Sequence, residues 1–116
     1  MASMENFAPA DVSRMLAERS ILLIDVREPE EYAAERIHGA LLYPLSSFDP
    51  KALPADEGRK LVLQCGSGMR SAKAMAIAAD AGVVVAGHLA GGIKAWKAAG
   101  LPVMAVDPAT GQMREG

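Results

Sequence analysis

One cysteine, Cys65, stands in this chain of 116 residues, beside only two histidines, His38 and His88. A single thiol cannot close an intramolecular disulfide, and one Cys with two distant His does not make a Cys/His zinc site. Aromatic residues are also scarce: one Trp, two Tyr and two Phe, so aliphatic side chains and alanine have to build the core. An excess of basic charge is lacking, because 12 Lys and Arg against 14 Asp and Glu leave a net charge of −2. That balance offers no general basic surface to nucleic acid. No apolar run approaches the roughly 20 residues needed to cross a bilayer. The first residues carry Glu5 and neither Lys nor Arg, and no apolar stretch follows, so no secretory signal is expected. These absences lead to the expectation of a soluble cytoplasmic protein with a reduced thiol and no membrane or nucleic-acid partner.

What is present suffices for one domain. A composition 51% hydrophobic and 22% charged excludes a disordered chain. A chain of this length buries roughly two-thirds of the surface its unfolded form exposes, enough for a core without covalent staples. Residues 1–106 read as a single domain, and 107–116, polar with Pro and Gly, as a flexible tail.

Along the chain two periods alternate. Residues 10–19 carry Val12, Met15 and Leu16 on one helical face. Residues 21–26 form an apolar run that reads as a buried strand holding Asp25 near its end. Pro29 suits the first turn of a helix reaching about Glu35, where its missing N–H costs nothing. A short apolar run at 40–43 is closed by Pro44. Residues 46–59, with Pro50, Pro54 and Gly58, read as loop with at most one helical turn. Residues 61–64 form a third strand with Cys65 at its carboxyl end. An alanine-rich helix is expected over 71–81, with Ala72, Met75, Ala76 and Ala79 on one face and Gly82 closing it. A strand over 83–86, a helix opened by Gly91 and Gly92, and an edge strand over 103–106 complete the series. Short strands alternating with short helices predict an α/β fold: a parallel sheet of about five strands with helices on both faces. In such sheets sites form beyond the carboxyl ends of strands, where Asp25 and Cys65 both fall.

The stretch Cys65-Gly66-Ser67-Gly68-Met69-Arg70-Ser71 joins a strand end to a helix start. Its two glycines permit positive φ, so the backbone can curl into a cup with N–H groups pointing inward. The helix that follows adds its positive end. Such a cup stabilises a thiolate, or an anion delivered to it, and lowers the thiol pKa from about 8.5. Arg70 is permanently charged, and its fork can hold two oxygens of a tetrahedral oxyanion. No histidine is adjacent in sequence, so electrostatics rather than a Cys–His pair would supply nucleophilicity. Gly66, Ser67, Gly68, Met69, Arg70 and Ser71 are thus candidate binding residues around the nucleophile Cys65, with Met69 a candidate apolar wall. For Asp25 and Arg27 two readings stand: a shell supporting the loop, or a local ion pair. Trp96 and the remaining methionines read as core, His88 as solvated in a Gly87-His88 turn, and Lys73 as a solvated lysine beyond the loop. No residue pattern calls for a metal or other cofactor.

Four segments together resemble the single-domain rhodanese (thiosulfate sulfurtransferase) family, from about Phe7 to Val103. They are Leu23-Ile24-Asp25-Val26-Arg27-Glu28 with Glu31-Tyr32; Arg36-Ile37-His38-Gly39-Ala40; Cys65 to Ser71; and Leu89-Ala90-Gly91-Gly92-Ile93 with Trp96 and Gly100-Leu101-Pro102-Val103. The resemblance implies that Cys65 attacks the outer sulfur of thiosulfate and expels sulfite. The resulting persulfide, cradled by the loop N–H groups, passes its sulfur to a thiol such as glutathione or thioredoxin, or to cyanide. Arg70 would hold the sulfonate end of the donor. Two departures from the family pattern stand out. Gly66 replaces the basic residue that often follows the cysteine, and Arg36 and His38 replace a His and a Pro. Rival readings are a persulfide relay fed by a partner protein, a phosphatase or arsenate reductase on the same fold, and a binding module. The phosphatases place a longer loop between Cys and Arg than the four residues found here. The binding modules have lost the cysteine that this chain retains.

Overall fold

The computed structural model describes residues 5–54 and 58–115. The chain runs through β1 (Glu5–Phe7), α1 (Pro9–Ala17), β2 (Ile21–Asp25), α2 (Pro29–Ala34), β3 (Glu35–Arg36) and β4 (Leu41–Leu42). Two 3-10 turns, Leu45–Ser47 and Pro50–Ala52, lead to β5 (Lys60–Gln64). Then come α3 (Met69–Asp80), β6 (Gly87–Leu89), α4 (Gly92–Ala98), β7 (Met104–Val106) and β8 (Met113–Glu115). Five strands form one sheet in the order β1-β6-β5-β2-β4, and every neighbouring pair is parallel. This is the expected α/β architecture.

The alternation of side chains along a strand assigns each residue to one of two cores. Ile21, Leu23, Val62 and Leu89 face one side, where Val12 of α1 and Ile93 and Trp96 of α4 cover them. Ile24, Leu63 and Cys65 face the other, under Ala74, Met75 and Ala78 of α3. The two central strands pair over five residues, Ile21 against Lys60 through Asp25 against Gln64. Cys65 therefore leaves the sheet at its centre, on the α3 side. No helix among the described residues is long and apolar enough to cross a membrane.

Four expectations need correction. The strand placed at 83–86 lies at Gly87–Leu89, and Val84 is 73% exposed. Only the end of the apolar run meets the ladder, where the Ala86 N–H donates to the Leu61 carbonyl. The face of α3 is rotated: Ser71, Ala74, Met75 and Ala78 are buried, while Ala72, Ala76 and Ala79 are exposed. An alanine-rich helix has too little contrast between its faces for the stripe to be read from composition. The strand after Val103 is no edge of the main sheet. It pairs antiparallel with β3 and β8 in a separate three-stranded sheet, and β8 lies within the segment read as tail. His88 is a buried strand residue and not a solvated turn residue.

Candidate active site

Cys65 is fully buried at the point where β5 gives way to the loop. The backbone N–H groups of Gly68 and Ser71 donate to its Sγ, at 3.1 and 3.3 Å. The Ser71 hydroxyl lies 3.5 Å from the same sulfur. Gly68 makes the curl possible: it is the N-cap of α3 at φ +102, a conformation other residues rarely adopt. Gly66 does not use positive φ. Its distinction is space, since a Cβ there would stand 3.1 Å from Arg70 Nη2.

The loop is held from behind by α4. Ile93 N–H donates to the Cys65 carbonyl at 2.8 Å, and Lys94 N–H to the Gly66 carbonyl at 3.1 Å. First-turn donors of a helix lack partners within it, and here the cysteine loop supplies them. Gly92 permits the contact, because a Cβ at that position would collide with the Cys65 carbonyl oxygen. The Gly-Gly pair serves close packing behind the nucleophile.

Burial pushes the Cys65 thiol up, and the Ser71 side chain with the backbone N–H groups of Ser71, Gly68 and Ser67 pulls it down. The hydrogen bonds prevail, and the thiol lies below its ordinary value.

Other candidates fall elsewhere. Arg70 points to Glu31, in the first turn of α2, through a two-pronged ion pair at 2.6 and 2.9 Å. The Arg70 hydrogen bond, opposed by burial and aided by Glu28 and by nearby Arg charges, holds the Glu31 carboxyl down at about 2. Met69, the first residue of α3, is 80% exposed. Asp25 and Arg27 are both buried and joined by several hydrogen bonds, the shortest at 2.9 Å. Arg27 also donates to the Glu35 carbonyl at 2.6 Å. Among the described residues, these bonds tie β2 to β3 and do not reach the cysteine loop. Arg36 lies over the Tyr32 ring at 4.8 Å, and His38 is exposed.

Sequence reasoning missed three contributors. Glu31 carried no signal for Arg70, 39 residues away. His88 lies with Nδ1 2.7 Å from Ser71 Oγ and Nε2 2.6 Å from Asn6 Oδ1. It reaches the site because β6 is the neighbour of β5, and Asn6 because β1 is the neighbour of β6. Only the strand order, which the sequence leaves open, could have indicated either.

Residues 8–99 match the profile of the Rhodanese-like domain. An uncharacterized protein of Synechocystis is 42% identical over 84% of this chain, which spans 54% of that protein. The probable adenylyltransferase/sulfurtransferase MoeZ of Mycobacterium tuberculosis is 45% identical over 67% of this chain, covering 20% of MoeZ. A sulfurtransferase of Allochromatium vinosum is 36% identical over 81% of this chain and 89% of its own length. Among solved structures, a rhodanese-related protein from Thermoplasma volcanium superposes with a TM-score of 0.73 at 29% identity, over 85% of this chain and 96% of that one.

Proposed function

The chain belongs to the rhodanese-like family, and from that membership we propose that it is a sulfurtransferase carrying sulfane sulfur on Cys65. The donor is thiosulfate or a related persulfide, and the acceptor a thiol or cyanide. The thiolate attacks the outer sulfur of thiosulfate. A new S–S bond forms, the old one breaks, and sulfite leaves with its electron pair. Glutathione and thioredoxin are acceptors of the required chemistry.

One observation carries this reading: hydrogen-bond donors from Gly68 and Ser71 converge on Sγ itself. Fixed donors stabilise the thiolate before attack and the persulfide after it, with no reorganisation of solvent. The cup lies behind a fully buried sulfur, which suits the addition of a single atom. The test is sulfite release and thiocyanate formation with thiosulfate and cyanide. Turnover by the native chain and none by Cys65→Ser is expected. Turnover that survives the substitution overturns the assignment.

A partner-fed relay is the second reading, favoured by the state of Arg70. Its charge is neutralised by Glu31, and Gly66 adds no cation at the rim. A site so balanced attracts a free dianion weakly and accommodates a persulfide presented by another protein.

A further inference from the structure

The Ser71 hydroxyl carries one proton and has three neighbours. They are Cys65 Sγ at 3.5 Å, the Gly68 carbonyl at 3.2 Å and His88 Nδ1 at 2.7 Å. The far side of the imidazole is defined by Asn6, whose Oδ1 lies 2.6 Å from Nε2. A carboxamide oxygen only accepts, so Nε2 bears the ring proton and Nδ1 of the neutral ring accepts. The bonds then run in one direction: Cys65 S–H to Ser71 Oγ, Ser71 O–H to His88 Nδ1, and His88 Nε2–H to Asn6 Oδ1. Four residues from three stretches of the chain form this row, and Cys65, Ser71 and His88 are all buried.

We propose that His88 is a positioning residue that takes up the Cys65 thiol proton through the Ser71 hydroxyl. The inference rests on Cys65 being the reacting sulfur. The step balances without any co-reactant. The S–H bond breaks and leaves its electron pair on sulfur, Ser71 receives that proton, and Ser71 passes its own proton to Nδ1. Afterwards every heavy atom stands where it stood. Nδ1–H now donates to Ser71 Oγ, Ser71 O–H donates to the thiolate, and Asn6 still accepts from Nε2. The Ser71 N–H and Gly68 N–H remain on the sulfur throughout.

The cycle needs such an outlet. When an acceptor thiol takes the outer sulfur from the Cys65 persulfide, its proton remains behind and Cys65 returns as a thiol. The Ser71 hydroxyl and the His88 ring offer that proton a fixed route away from the buried sulfur. Burial pushes His88 below its ordinary value, which leaves the resting ring neutral with Nδ1 an acceptor; the same burial opposes an isolated imidazolium, so uptake pairs the charged ring with the Cys65 thiolate across Ser71. The groups facing this row are Asn6 from β1, Cys65 immediately after β5, Ser71 from α3 and the Gly68 turn that caps it. Gly91, at the entry to α4, lies beside that turn. Cys65 is the titratable member of the set besides His88. Arg70, already paired with Glu31, is the nearby cation, and the charge of Cys65 acts on it.

The test reads the thiolate directly, without any sulfur donor. Alkylation of Cys65 by iodoacetamide is followed against pH in the native chain, in His88→Asn and in Ser71→Ala. Asparagine keeps an acceptor near the position of Nδ1 and cannot take up a proton. The native profile is expected to show two inflections. His88→Asn should lose the histidine-linked one and react about tenfold more slowly at neutral pH, a change of about 1.4 kcal/mol in thiolate preference. A native profile in His88→Asn overturns the proposal, even if sulfur transfer by Cys65 is established. If a variant fails to fold, the His88 ring is titrated by NMR in the native chain and in Cys65→Ser. Coupling predicts different midpoints, and identical midpoints overturn the proposal. Loss of sulfur transfer with the coupling intact would instead count against the sulfurtransferase reading alone.

Discussion

The chemistry of this site turns on how few residues touch the sulfur. Cys65, its cup and Arg70 are contiguous, and a contiguous loop is readable in a sequence. The partner that Arg70 takes was not readable, because Glu31 comes from a different helix. Its consequence for activity can be measured. Glu31→Gln frees the Arg70 guanidinium, so thiosulfate kcat/KM is expected to rise several-fold, with the change in KM. A fall, or no change, would show that Arg70 acts only as held by Glu31. The same variant has a signature in stability. The Glu31 carboxyl is held at about 2 against a usual 4.5. Its contribution to folding is therefore complete above about pH 4.5 and fades as pH falls toward 2. Both partners are more than one-third exposed, so solvent keeps that contribution modest. Acid unfolding of Glu31→Gln should lack this component.

Elements place those residues, and here the sequence was partly legible. The long apolar run of β2 and the apolar residues of β5 marked two buried strands, because strands covered on both faces need them. The three-residue β1 carries too little pattern in Glu5-Asn6-Phe7 to be read, and β6 was expected over 83–86, on the apolar run that precedes Gly87-His88-Leu89. Yet β6 and β1 bring His88 and Asn6 to the cysteine. The α4 start was legible as Gly91-Gly92, though its purpose was not. Its N–H groups fasten the Cys65 and Gly66 carbonyls, and the missing Cβ of Gly92 lets them approach. Gly92→Ala is thus expected to displace the cysteine loop from α4. Backbone, not a flexible side chain, stands in the way, and φ +63 adds strain. Stability should fall by more than about 2 kcal/mol, with reactivity of Cys65 reduced alongside. Denaturant unfolding and alkylation rates check the two effects. A variant with native values for both would remove α4 from the account of the site.

At the scale of the whole molecule, one sheet with two cores holds the cup still. Leu23 lies in β2, an interior strand, with no exposed surface, packed toward α1 and α4. Leu23→Ala is expected to cost about 2–5 kcal/mol, through lost transfer energy and an unfilled cavity. The midpoint of urea unfolding should drop with little change in its slope. The fold class was readable from alternating periods, since a parallel sheet requires helices between its strands. The three-stranded sheet of β3, β7 and β8 was not, because the two-residue β3 pairs with β7 some 70 residues on, and β8 folds back on β7 from within the polar segment read as tail. The central claim concerns the whole protein in one state: a covalent carrier of sulfur on its single cysteine. The most direct measurement is the intact mass after incubation with thiosulfate. A gain of one sulfur atom is expected, located at Cys65, removed by an acceptor thiol and absent in Cys65→Ser. An unchanged mass with thiosulfate and with persulfide donors alike would contradict it.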